Sequence, residues 1–283
     1  MIEVGDNAYG KSAIRLVKVD RTTTPHRVRD LTIAIALEGD FATSYSEGDN
    51  AGVIATDTMK NTAYALAGEH LTGSIEAFGL VLGRHFLAEP QVERARVTIA
   101  EHGWRPIGAA ADAFSRDASS KRTTMVVAGR DRDVVEAGIA DLVVMKTTRS
   151  AFEGFPRDRF TTLNETDDRI LATKVTARWR YASHASIDHD RSWSAVRDTL
   201  LETFADHHSV SVQASIWIIG KAILERHPEV EEISMSLPNL HHWTVDLSPF
   251  GLANDREVYV STTEPHGLIE ATIRRSDRGP ATS

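Results

Sequence analysis

Five short stretches of this chain gather residue types that can grip a small polar ligand and act on it. In Ile54-Ala55-Thr56-Asp57-Thr58-Met59-Lys60-Asn61-Thr62, an apolar dipeptide runs into a hydroxyl and a carboxylate, and Met59, Thr62, Ala63, Leu66 and His70 then recur at helical spacing. The pattern predicts a helix mouth capped by Thr56 or Asp57. Unsatisfied N–H donors at such a mouth favour an anionic or carbonyl-rich ligand. Ser211-Val212-Gln213 repeats the arrangement at another predicted helix start and adds a side-chain amide. Asp168-Arg169-Ile170 sets a guanidinium at a strand start, a planar fork suited to a carboxylate or a carbonyl/N anion. Leu237-Pro238-Asn239-Leu240-His241-His242-Trp243 joins two predicted strands, and alternation puts Asn239 and His241 on one side and His242 on the other. Phe152-Glu153-Gly154-Phe155-Pro156-Arg157-Asp158 is a loop whose aromatics can stack on a flat ligand. Taken singly, each stretch also fits an ordinary part: a cap, a surface ion pair, a structural histidine or a packed loop.

The elements that must position these residues follow from periodicity. Ala13–Val19 reads as extended, and Leu31, Ile33, Ile35 and Leu37 alternate at period two. Two helices follow, one from Thr56 and one capped by Ser74 with Ile75, Phe78, Leu82 and Phe86 on one face. Val92–His102 and Thr123–Ala128 are the next strands. The order strand, strand, helix, helix, strand, strand then recurs. Ala140–Thr148 and Ile170–Tyr181 are strands, and helices follow on Trp193, Val196, Leu200, Phe204 and on Val212, Ile216, Ile219, Ile223. Val230–Ser236 and His242–Leu247 are expected to close the second unit, with Glu257–Ser261 as an extra strand. The duplication is one of structure and not of letters. It predicts an α+β chain of two tandem units, residues 1–133 and 134–273, each a four-stranded antiparallel sheet with two helices on one face. Residues 274–283 are expected to form a disordered tail. Open sheet edges call for pairing, and a second copy of the chain supplies it most simply, so a homo-oligomer is expected.

Composition narrows the function classes. The chain has 283 residues, a net charge of -8 and no cysteine, which excludes disulfides, thiolate metal sites and thiol nucleophiles. The acidic balance offers no field for nucleic acid. No apolar run approaches membrane-spanning length, and the N-terminus lacks a signal-peptide pattern, so a cytoplasmic protein is expected. Gly5 to Ser12 spell Gly-x-x-x-x-Gly-Lys-Ser, the phosphate-loop pattern, but too little chain precedes Gly5 for a buried strand, and Lys11 is followed by a strand pattern instead of a helix. The pairs His207-His208 and His241-His242 do not form a metal-ligand spacing, and no Gly-x-Ser-x-Gly elbow occurs. No metal site is expected.

Together, Tyr9-Gly10-Lys11, Ala55-Thr56-Asp57 with Lys60-Asn61-Thr62, Phe152-x-Gly-Phe155-x-Arg157-Asp158, Asp168-Arg169-Ile170-Leu171, Val212-Gln213 and Pro238-Asn239-Leu240-His241 resemble urate oxidase (uricase). The resemblance runs from Tyr9 to about Leu247. It implies the tunnelling fold (T-fold), usually a homotetramer whose barrels stack around a tunnel. It also implies oxidation of urate by O2 and water to 5-hydroxyisourate and hydrogen peroxide, the first step of urate breakdown toward allantoin, with no metal or organic cofactor. By this resemblance Arg169 and Gln213 clamp the purine, Phe152 stacks on its face, and the N–H groups of Asp57 and Val212 complete the grip. Lys11, Thr56 and His241 form a proton relay, and Asn239 helps hold O2 or the later water. Lys11 and Thr56 come from one subunit and the clamp from its neighbour. Such a scheme is chemically coherent, because a further deprotonated urate anion is reducing enough to pass an electron to O2, and a lysine whose pKa is lowered by burial can serve as base. Eukaryotic members often end in a Ser-Lys-Leu-type peroxisomal address. This chain ends Ala281-Thr282-Ser283, so a bacterial cytoplasmic enzyme is expected. The T-fold also carries pterin and deazapurine chemistry, and a binding protein that holds a purine without turnover is the alternative. Such a binder needs the clamp; an oxidase also needs Lys11 and His241.

Overall fold

The computed structural model describes residues 2–276. The chain divides into two compact units, Met1–Ala140 with Trp179–Trp193, and Asp141–Arg178 with Ser194–Ser283.

In the first unit the strands β1 (Tyr9–Asp20), β2 (Arg27–Gly39), β3 (Val92–Pro106), β4 (Phe114–Gly129) and β5 (Val134–Lys146, which runs on into the second unit) follow in spatial order as an antiparallel sheet. Between β2 and β3 come a short helix α1 (Ala42–Ser46), then α2 (Thr56–His70) and α3 (Ile75–Leu87). The expected periodicities are those of the core: Leu31, Ile33, Ile35 and Leu37 from β2 pack with Ile75, Phe78, Leu82 and Phe86 from α3, all of them buried. Ser74 caps α3, its Oγ accepting from Ala77 N–H at 3.2 Å. At the start of α2 the structure differs from the sequence reading. The cap position belongs to Ala55, whose side chain can accept nothing, so the Thr56 hydroxyl is not taken up in capping. The buried face of α2 is Met59, Ala63 and Ala67; His70 lies on the same side but is exposed, as the last residue of the helix.

In the second unit β6 (Leu171–Tyr181), β7 (Val230–Pro238) and β10 (Leu268–Arg274) follow in order in the sheet, β7 and β10 antiparallel. The last residues of β6 and the first of α4 (His189–Asp206) belong to the first unit. Helix α5 (Val212–Arg226) packs on β7 and β10, and Ile216, Ile219 and Ile223 are buried as their spacing requires. The expected closing strand is corrected here. His242–Leu247 does not close the sheet; β8 is only His241–Thr244 and pairs with β9 (Tyr259–Thr262) in a separate two-stranded ribbon. The closing strand is β10, which pairs residue by residue with β7 from Leu268↔Pro238 to Arg274↔Glu232. Arg274, expected in a tail, ends this strand, and the Arg275 guanidinium beyond it donates to the carbonyls of Val230, Leu224 and His227. Residues 277–283 of the expected tail lie outside the described residues.

Candidate active site

The second unit holds a cavity of about 550 Å³, within the range that receives small planar ligands. Phe152, Arg169, Val212, Gln213, Asn239 and His241, drawn from four separate stretches of sequence, all line it. Local pairing explains how they meet. The segment Arg149–Phe152 runs beside Ser209: Ser209 N–H donates to Arg149 O at 3.0 Å, and Ala151 N–H to Ser209 O at 2.7 Å. That lacing brings the start of α5 beside Phe152. Arg169 N–H donates to Ser150 O at 2.8 Å, which sets Arg169 on the same wall. Asn239 is pinned from another direction, its N–H donating to Gly267 O at 2.8 Å while Leu240 N–H donates to Ala172 O at 2.9 Å.

The mouth of α5 is built to offer donors. Ser211 caps it, its Oγ accepting from Ala214 N–H at 3.1 Å, which leaves the N–H groups of Val212 and Gln213 without intrahelical partners at the cavity wall. Behind this mouth, Ser215 Oγ lies 2.8 Å from both Ser209 Oγ and His207 Nε2, and the Lys146 ammonium donates to His207 O. Burial lowers the pKa of both His207 and Lys146, so the imidazole is held neutral within this network. Electrostatics favour an acceptor-rich guest. Arg169 carries an unopposed charge: burial lowers its pKa, no carboxylate among the described residues compensates it, and its Nε is buried without a partner. Its Cζ stands 5.3 Å from the centroid of the Phe152 ring. A guanidinium beside a flat aromatic wall suits a flat anion lying on that wall. His241 has its pKa lowered, first by burial and then by Arg169, so it stands neutral near pH 7 with a nitrogen able to accept a proton.

One expectation fails in detail. His242 lines the cavity as well as His241, although the two are neighbours in β8: all four residues of this short strand line it, so alternation does not separate them. Trp243, absent from the sequence-based candidates, lines it too and stacks on His241 with centroids 5.3 Å apart. Its signal was its place in the same stretch, two residues beyond His241.

Lys11, Thr56 and Asp57 belong to the first unit and are not among the residues lining this cavity. They form a second cluster. Tyr9 OH accepts from Ile54 N–H at 2.8 Å, tying the approach to α2 onto β1 two residues before Lys11. Gly10 permits the close passage of β1 over β2, since a Cβ there would lie 1.9 Å from Ile35 O. A bulge follows between Lys11 and Ile14, with Ala13 at φ 56°, and such a bulge re-aims the neighbouring side chains. The Asp57 carboxylate is held by Lys60 and by Asn61 Nδ2 at 3.0 Å; its pKa is lowered by Lys60 first and by Lys11 among the further causes. The phosphate-loop pattern is accounted for: Lys11 lies within β1, and no helix opens after it. Among the described residues no group of three or more His, Asp or Glu side chains is gathered to hold a metal ion.

Fold and cavity together define a two-unit α+β protein with a cavity in which a half-buried guanidinium, a side-chain amide and helix N–H donors lie beside an aromatic ring, a lining suited to a flat, acceptor-rich guest. Comparison with known proteins gives this class a family. The uricase family profile matches residues 7–127 and 135–270, so the chain belongs to the uricase family. The uricase of Arthrobacter globiformis is 46% identical over 275 residues, covering 97% of this chain and 90% of that one. The uricase of Oryctolagus cuniculus is 35% identical over 285 residues, covering 97% and 95%. The crystal structure of the Arthrobacter enzyme superposes with a TM-score of 0.94 at 45% identity, covering 99% of this chain and 97% of that one. A Bacillus urate oxidase structure, at 23% identity and a TM-score of 0.83 over 95% of this chain, shares the fold.

Proposed function

We propose that this chain oxidises urate with O2 and water to 5-hydroxyisourate and hydrogen peroxide, and that it does so without a metal or organic cofactor. The observation that carries the reading is the unopposed Arg169 guanidinium at the mouth of α5, beside Phe152, Gln213 and a neutral His241. Urate is a flat anion ringed by carbonyl oxygens and nitrogens. Arg169 and the Gln213 amide would grip one edge, the Val212 N–H would add a donor, and Phe152 would lie against the ring. Loss of a further proton makes urate electron-rich enough to reduce O2 itself, so the substrate supplies the electrons that a cofactor would otherwise carry. Lys11, Thr56 and His241 would take and return the protons. Asn239 would hold O2, and then the water that enters the oxidised ring, above the purine plane. A purine-binding protein without turnover would need the clamp alone.

The working site would form between two chains of a homotetramer, with Lys11, Thr56 and the Asp57 N–H coming from one chain and the clamp from its neighbour. Two features support an oligomer. β1 and β10 each have one strand neighbour among the described residues, and the second unit exposes Phe250, Leu252, Val258 and Val260.

Purified protein in aerated, chelator-treated buffer should remove the ultraviolet absorbance of urate and release peroxide in equal amount. Urate that binds and persists would support the binding protein instead, and activity recovered only on adding a metal would refute the cofactor-free reaction.

A further inference from the structure

The loop that begins at Phe152 carries a second aromatic residue to which the proposed reaction assigns no part. Phe155 lies face to face with Phe152, the ring centroids 4.9 Å apart and the planes 13° from parallel. Phe152 lines the cavity alongside Arg169, and Phe155 does not. Phe155 therefore covers the face of the Phe152 ring turned away from the cavity. Behind it the stack continues, with Arg157 Cζ 5.7 Å from the Phe155 centroid and Arg157 Nη1 donating to Leu163 O at 3.0 Å. Leu163 itself lines the cavity, so the back of the stack is tied to the outer wall.

The loop is closed around this arrangement. Phe152 and Thr166 exchange backbone hydrogen bonds of 2.8 and 3.2 Å. Gly154, at φ 72°, donates its N–H to Glu165 Oε1 at 3.0 Å, a backbone conformation that favours glycine. A lone phenylalanine on a loop can turn about its side-chain bonds, and a flat ligand that stacks on it must first stop that motion. A ring already clamped from behind has lost that freedom before the ligand arrives, which favours binding through preorganisation.

We propose that Phe155, backed by Arg157, is a positioning residue for the substrate: it fixes the plane and height of the Phe152 ring on which the purine stacks. The identity of the stacked ligand rests on the urate oxidase reading. Through Phe152 the same stack sets where the purine ring stands against the proton-transfer groups, so its loss is read in turnover as well as in binding.

The test is a double-substitution cycle on the full-length protein with Phe155→Leu and Phe152→Leu, measuring the affinity of an unreactive purine analogue, kcat and KM for urate, and the melting temperature. Phe155→Leu should weaken analogue binding about threefold to tenfold, the range of an aromatic pair, and Phe155→Tyr should restore it. In the Phe152→Leu background, Phe155→Leu should change affinity hardly at all, because the ring through which it acts is gone. A full effect in that background, or a tyrosine variant no better than leucine, would overturn the proposal and leave Phe155 as plain loop packing. If Phe155→Leu fails to fold, Arg157→Gln reads the same coupling: a loss confined to the Phe152 background supports the stack, and an equal loss without Phe152 overturns it. Wild-type protein that holds the analogue but leaves urate intact would sink the oxidase reading while the cycle still reports on the bound analogue. Wild-type protein that binds neither overturns both.

Discussion

Arg169 and Lys11 have different work in the proposed reaction, and single substitutions separate them. Arg169 holds the ligand before and during reaction, so Arg169→Ala should weaken an unreactive purine analogue by about 2 kcal/mol, the worth of a charged hydrogen bond, or roughly thirtyfold. Lys11→Ala and Thr56→Ala should leave analogue affinity nearly unchanged while lowering kcat by about a hundredfold or more, the usual contribution of a positioned proton-transfer group. Equilibrium titration and steady-state kinetics on the same preparations check both, and equal losses of binding and turnover in the Lys11 or Thr56 variants would refute the relay. Another residue reports on stability. His189 is buried against Tyr181, with its Nδ1 lacking a partner, and its pKa is pushed down to about 4, first by burial and then by Arg122. A histidine depressed in the folded state is protonated more readily in the unfolded chain. Its contribution is therefore intact above the ordinary histidine pKa of about 6.5 and lost as pH falls from there toward about 4. Melting temperature should fall across that window, and His189→Phe should flatten the slope there; an unchanged slope would contradict the assignment.

Among the elements, β4 and α3 are joined by a buried charge. Arg122 on β4 donates to Glu76 of α3 at 2.6 Å and to Asp190 at 2.6 Å, with its Cζ 5.2 Å from the Trp193 ring. Glu76 is fully buried, and burial raises its pKa even with Arg122 beside it. Arg122→Met would strand that carboxyl and should cost about 3–5 kcal/mol, whereas adding Glu76→Leu should recover most of the loss. Denaturant melts of the single and double variants decide this, and a single variant as stable as wild type would refute it. Much of the element level was legible beforehand, because it rests on local periodicity. Leu31 to Leu37 alternate, Ile75 to Phe86 recur at helical spacing, and Ser74 and Ser211 cap where their type suggests. The closing strand of the second unit was not legible. Trp243, Val245 and Leu247 alternate as a core strand would, but Trp243 is exposed and the segment joins a ribbon outside the main sheet. Ile269, Ala271 and Ile273 alternate equally well in β10, and only pairing with β7 distinguishes the two segments. Non-local pairing leaves no mark in a short window of sequence. The same limit applies in the site: Arg169, Gln213 and Asn239 were visible as chemistry, whereas His242 and Trp243 enter with the whole of β8, which alternation would not place on one side of a cavity.

For the whole molecule, the assignment of the proposed clamp to one unit and of Lys11 and Thr56 to the other has the most consequence. The residues proposed as the clamp belong to the second unit and Lys11 and Thr56 to the first, and in the proposed homotetramer the working site would take each set from a different chain. Neither kind of damaged chain can then work alone, since Lys11→Ala leaves every site without its base and Arg169→Ala leaves every site without its grip. The most direct test is to unfold and refold the two variants together and measure urate consumption with peroxide release, against each variant refolded alone. Mixed oligomers contain some sites in which the intact Lys11 of one chain meets the intact Arg169 of the other, so activity should reappear well above the sum of the separate variants. Activity no greater than that sum, in mixtures shown by mass to contain both chains in one oligomer, would contradict a site shared between chains.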